Sequence, residues 1–145
     1  MPGTRQDDDI LTCCYAIARF FGPTLDHRVV TAFLGRQPSY AYLPGEYRNR
    51  LGQPQPNGMW QLTSEQQIVS DDLEEHIAWV LAQLEDATIS IPEFMRSNGA
   101  QSDVYCYWET TANGGVSFSP SLLRRIADLG LSLGVTISYV DAPEE

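Results

Sequence analysis

The stretch Asp103–Val140, DVYCYWETTANGGVSFSPSLLRRIADLGLSLGVTISYV, reads as strand, glycine turn, helix and strand, and it decides the fold class. Val104, Cys106 and Trp108 alternate with Tyr105, Tyr107 and Glu109, the period of two of a half-buried strand built from aromatic and β-branched residue types. Asn113-Gly114-Gly115 breaks that pattern. Ser119-Pro120 starts a helix, because the serine oxygen accepts an orphan backbone N–H and proline at the first helical position gives up no hydrogen bond. Leu122, Leu123, Ile126 and Leu129 fall on one helical face, and Gly130 suits the left-handed conformation that ends it. Leu131, Leu133, Val135, Ile137 and Tyr139 alternate with Ser132, Thr136 and Ser138, giving the closing strand one apolar and one polar face.

Upstream, Leu11–Phe21 (LTCCYAIARFF) is a first strand. Cys14, Ala16 and Ala18 share one of its faces, and their small size implies an element lying close over them. Gly22-Pro23 turns the chain into a short helix with Asp26 as N-cap, Leu25 stapled onto Val30, a buried stripe of Val29, Val30, Phe33 and Leu34, and Gly35 as terminator. Arg36–Gly58 lacks a helical stripe and is punctuated by proline and glycine; a hairpin of Ala41–Leu43 with Glu46–Leu51 is its simplest structural form. Met59–Thr63 alternates as a short strand, with Trp60 and Leu62 pointing one way. A second helix begins at Ser70 or Asp71, its core stripe Leu73, Ile77, Val80, Leu81 and Leu84. Glu85–Gln101 connects it to the strand at Val104, with Phe94 and Met95 packed beneath.

These elements predict an α+β domain: a mainly antiparallel sheet of about four to six strands with about three helices on one face, of ferredoxin-like sandwich character. Residues 10–140 form this single domain between acidic tails at 1–9 and 141–145. If the strands at Val104 and Val135 are parallel neighbours, the helix between them makes a right-handed crossover.

Nineteen acidic residues face nine arginines and no lysine, for a formal charge of −10. That field repels phosphate backbones and anionic lipid, which argues against nucleic acid and membrane partners and favours a basic protein. No apolar run approaches the about 20 residues of a membrane span, and MPGTRQDDDI lacks the layout of a secretory signal, so a cytoplasmic location is expected. Cys13, Cys14 and Cys106 fall in strand-like segments and read as reduced apolar fillers. No metal set, cofactor motif or catalytic constellation stands out, so no cofactor is expected.

Two groups of residues are candidates for binding. Asp71, Asp72, Glu74 and Glu75 crowd the start of the second helix beside Trp79, an acidic patch with an aromatic anchor for a basic partner. Tyr42, Arg48 and Arg50 in the long loop, with Trp60 and the sheet residues Tyr105 and Tyr107, form the alternative, a site for a small anionic ligand. Tyr105, Tyr107 and Ser138 lie on the sheet face away from the helices, a candidate binding surface in itself. The enzymatic option requires Glu109 and His76 to meet.

The ordered set Gly58-x-Trp60-x-Leu62, Asp72-Leu73-Glu74-Glu75-His76-Ile77-x-Trp79, Cys106-Tyr107-Trp108-Glu109, then Gly115 with Leu122-Leu123-Arg124-Arg125-Ile126-Ala127-x-Leu129-Gly130, resembles an uncharacterised bacterial family known as a domain of unknown function. The likeness spans Leu11–Val140, and the arginine-tyrosine loop is not part of it. It implies a small cytosolic bacterial α+β domain and supplies no activity.

Residues and resemblance together lead to a non-enzymatic acidic binding module as the first expectation. Its most specific form is an immunity protein that binds and neutralises a basic bacterial toxin. An anionic-ligand sensor and an enzyme of unknown class are the alternatives, and the oligomeric state is left open.

Overall fold

Cys14, Ala16, Ala18 and Phe20 line one side of β1 (Thr12–Gly22), and all four are buried because a helix lies directly across the small residues. The computed structural model describes residues 12–87, 90–110 and 115–139. The tails expected at 1–9 and 141–145, and Asn113-Gly114 of the expected turn, lie outside the described residues. Four more strands complete one sheet: β2 (Tyr40–Tyr42), β3 (Gly58–Thr63), β4 (Gln101–Thr110) and β5 (Ser132–Tyr139). Their order is β2-β3-β1-β4-β5, antiparallel except for the final β4–β5 pair. The α+β class and the mostly antiparallel sheet match the expectation. The parallel pair arises because a helix must carry the chain back before β5 can lie beside β4.

Four helices lie among the described residues: α1 (His27–Leu34), α2 (Leu73–Leu84), α3 (Ile91–Asn98) and α4 (Pro120–Asp128). Each has a polar N-cap. Asp26 accepts the Arg28 N–H at 3.0 Å, Asp72 that of Glu74 at 2.9 Å, Ser90 that of Glu93 at 3.2 Å and Ser119 that of Leu122 at 3.3 Å. The Arg28 guanidinium also grips Asp26, and these bonds hold its carboxyl down at about 2. The α2 cap is therefore Asp72, one residue beyond the expected start, because Asp72 has the extended backbone from which a side chain reaches the first turn. Helix α3 stands where a plain connection was expected, with Ser90 as cap, Pro92 in its first turn and Phe94 buried.

One core unites the helix layer with the inner sheet face. Trp60 and Phe20 meet edge to face at 5.7 Å, Phe94 meets Phe20 at 5.8 Å, and Phe33 stacks on Phe94 at 4.2 Å. Val104 and Cys106 of β4 are fully covered, as their alternation predicts. Two stripes are narrower than expected, with Val29 of α1 and Leu123 of α4 42% and 45% exposed, because each helix presents only one row of side chains to the sheet. The apolar side of β5 also runs out from under the helices toward Ile137 and Tyr139. The expected hairpin of Ala41–Leu43 with Glu46–Leu51 does not form. Tyr40–Tyr42 pairs instead with β3, and the chain from Gly45 to Gln55 folds on itself through Gln55 N–H to Tyr47 O (2.8 Å) and Asn49 N–H to Gln53 O (2.9 Å).

Burial pushes the Cys106 thiol up from its ordinary 9.0 to about 12, with smaller contributions from Cys14 and Asp103. Keeping that thiol neutral stabilises the fold fully below the ordinary value, and the benefit is lost as pH rises through the shifted one. The urea midpoint of the native chain is therefore expected to fall more steeply than that of Cys106→Ala between about pH 9 and pH 11. Parallel curves would show that Cys106 is not desolvated.

Candidate functional site

No described helix covers the outer face of the sheet, and its side chains follow from the strand register. From β1 come Tyr15, Ile17, Arg19 and Phe21; opposite them on β4 stand Tyr107, Tyr105, Asp103 and Gln101. Thr136, Gly134 and Ser132 of β5 flank the β4 side, while Gln61 and Met59 of β3 and Tyr40 and Tyr42 of β2 continue the face the other way. Because the core needs only every second residue of a strand, the alternate positions are free to build this surface.

Its centre is an ion pair. Arg19 donates Nε to Asp103 Oδ1 at 2.8 Å and Nη2 to Oδ2 at 2.6 Å, and its guanidinium lies 4.6 Å from the Tyr105 ring centre and 5.4 Å from that of Phe21. The bidentate bond to Asp103, opposed by partial burial, raises the Arg19 pKa above its ordinary value. The Tyr105 ring passes over Gly134, where an added Cβ would approach it to 3.1 Å, and its hydroxyl bonds to that of Thr136. On one side Tyr15 stacks on Tyr107 at 5.4 Å, and Tyr107 donates its hydroxyl to Glu109 at 3.0 Å. On the other, Tyr42 stacks on Tyr47 at 4.9 Å with Tyr40 edge-on to both, and desolvation, then the neighbouring phenols, raises the Tyr42 pKa.

The residues proposed for an anionic ligand do not assemble. Tyr42, Tyr105 and Tyr107 share the outer face, but Trp60 points the other way and is fully buried, its indole N–H bonded to Thr31 Oγ1 at 3.1 Å. A one-residue step along a strand reverses the side, and Trp60 lies one step from Met59 and Gln61. Arg48 donates to the Gly52 carbonyl at 2.6 Å, closing its own loop, and Arg50 is exposed near the loop tip. The residues that sequence reasoning passed over are Arg19 and Asp103. Each reads as an ordinary polar strand position, and only the register makes them neighbours.

The acidic patch divides by role. Asp72 caps α2, and Glu74 accepts the Ser119 N–H at the start of α4, so both carry structure. Asp71 and Glu75 are exposed. Trp79 is partly buried against the core. Two concavities of 270 and 180 Å³ open around these carboxylates.

Glu109 and His76 lie on opposite sides of the sheet. His76 is buried; its Nε2–H donates to the Ser70 carbonyl at 2.8 Å, and its Nδ1 accepts the Ser64 hydroxyl at 2.6 Å. Ser64 in turn accepts the Ala16 N–H at 3.0 Å. This chain of bonds ties the segment after β3 to α2 and β1, and the Ser64–His76 pair offers no surface to a substrate. Among the described residues, no group of three or more His, Cys, Asp or Glu is arranged to hold a metal ion.

The family profile described as "Domain of unknown function (DUF4279)" matches residues 12–140, the span from β1 past β5. The chain belongs to the DUF4279 family. Membership of a domain-of-unknown-function family is as expected. No curated protein and no solved structure matches this DUF4279 chain. Among its described residues no helix is long and apolar enough to cross a membrane.

Proposed function

We propose that this DUF4279 domain is a non-enzymatic binding module for a basic protein, and most specifically an immunity protein that neutralises a cationic toxin domain in the cytoplasm. The observation that carries the reading is the surplus of carboxylate. Among the described residues the ion pairs are Arg19–Asp103, Arg28–Asp26, Arg36–Asp86 and Arg125–Glu85, which leave Asp71, Asp72, Glu74, Glu75 and Glu109 without a cation. A formal charge of −10 beside a tyrosine-bearing sheet face that no described helix covers suits a partner of opposite sign, and tyrosine supplies large contact area at small entropic cost. The step from acidic binder to toxin neutraliser rests on analogy with such bacterial pairs. The anionic-ligand alternative loses support because Trp60 is inaccessible and Arg48 is engaged within its own loop.

Co-expression with a basic toxin domain encoded beside the gene is expected to restore growth. Joint replacement Asp71→Lys and Glu75→Lys, which spares the helix cap and the Glu74 bond, should slow association about tenfold at low salt and flatten its salt dependence. Absence of both rescue and co-purification would overturn the reading.

A further inference from the structure

We propose that the outer sheet face seats an arginine side chain of the partner protein at Glu109, against the stacked Tyr15–Tyr107 pair. This deepens the basic-partner reading and rests on it. The face already holds one guanidinium of its own, and that arrangement shows what a second would need. Arg19 lies against an aromatic ring and delivers two N–H groups to one carboxylate.

Along β4 the outer positions run Asp103, Tyr105, Tyr107, Glu109, so that a carboxylate next to a tyrosine occurs at each end. At the first end the register places Arg19 of β1 opposite Asp103. At the second it places Cys13 of β1 and Ser138 of β5 opposite Glu109, and neither residue type carries positive charge. Among the described residues Glu109 meets no cation; the bond it makes is the one accepted by Oε2 from the Tyr107 hydroxyl at 3.0 Å. That bond fixes the carboxylate beside the ring and leaves Oε1 for an incoming donor. Glu109 is half-buried, so an ion pair formed there is less screened than one at a fully exposed carboxylate. Arginine suits the seat better than lysine, because a planar guanidinium stacks on a phenol ring while its fork engages a carboxylate, whereas an ammonium acts as a point charge.

Hexa-arginine and hexa-lysine peptides of equal charge separate this seat from general attraction to an acidic surface. At matched low ionic strength the native protein is expected to bind hexa-arginine at least about fivefold tighter than hexa-lysine. Glu109→Gln, which keeps an acceptor for the Tyr107 hydroxyl, should bring that ratio close to one. Tyr107→Phe, which keeps the ring and frees the carboxylate, should lower it partway. Asp71→Lys with Glu75→Lys should weaken both peptides alike and leave the ratio unchanged. Equal binding of the two peptides, a preference that survives Glu109→Gln, or no binding of either would overturn the proposal. Equal binding leaves the acidic-binder reading standing, and failure of toxin rescue with the arginine preference intact removes the toxin and not the seat.

Discussion

Trp60→Ala is expected to cost about 3–5 kcal/mol of folding stability, read from the urea midpoint at an unchanged slope. The side chain is fully enclosed, meets Phe20 edge to face at 5.7 Å and donates its indole N–H to Thr31 on α1 at 3.1 Å. Truncation removes the ring from the seam between β3, β1 and α1, and neighbours held by a sheet on one side and helices on the other cannot close the gap. It also leaves the partly buried Thr31 hydroxyl without its indole donor. Trp60→Phe retains most of the packing and is expected to cost about 1–2 kcal/mol. A loss below about 1 kcal/mol for the alanine variant would mean that Trp60 lies outside the core.

Gly58→Ala is expected to be nearly as damaging, at about 3 kcal/mol, although it adds a single methyl group. Gly58 opens β3 opposite Gly22 of β1, and a Cβ there would collide with the Leu25 carbonyl oxygen and come within 3.1 Å of the Pro44 ring. The first obstacle is backbone, so relief requires moving the segment that leads into α1 rather than turning a side chain. Gly115→Ala is the control, since among the described residues nothing lies within 4 Å of a Cβ at that position and its effect should be within about 0.5 kcal/mol. Equal melting temperatures for the two variants would show that Gly58 is not closely approached.

The readable parts of the fold were those in which local pattern and tertiary burial make the same demand. Val104 and Cys106 alternate with Tyr105 and Tyr107 because β4 is covered on one face, and Ala16 and Ala18 are small because α2 crosses them. Asp26, Ser119 and Gly35 act at helix ends through bonds that span a few residues, which a linear reading captures. Helix α3 is hard to read from the sequence although Ser90, Pro92 and Glu93 form a start signal, because its apolar stripe is short and resembles a connection. The strand expected at Ala41–Leu43 forms at Tyr40–Tyr42 and pairs with β3 rather than with Glu46–Leu51, because strand pairing between segments separated by a loop depends on which edge of the sheet is open.

The candidate surface was half legible in the same sense. Alternation put Tyr105, Tyr107 and Glu109 on one side of β4 and Trp60 on the opposite side of β3 from Met59, but which side of β3 shares the tyrosine face depends on its register with β1. That Asp103 finds Arg19 while Glu109 finds Cys13 and Ser138 was decided by the sheet register alone. The chain's own order thus determined which residues are apolar, which cap a helix and how much charge must face water, since those properties act over one or two turns. Which carboxylates are neutralised and which remain available was settled only when distant strands came to lie side by side, because an ion pair depends on separation in space and not along the chain.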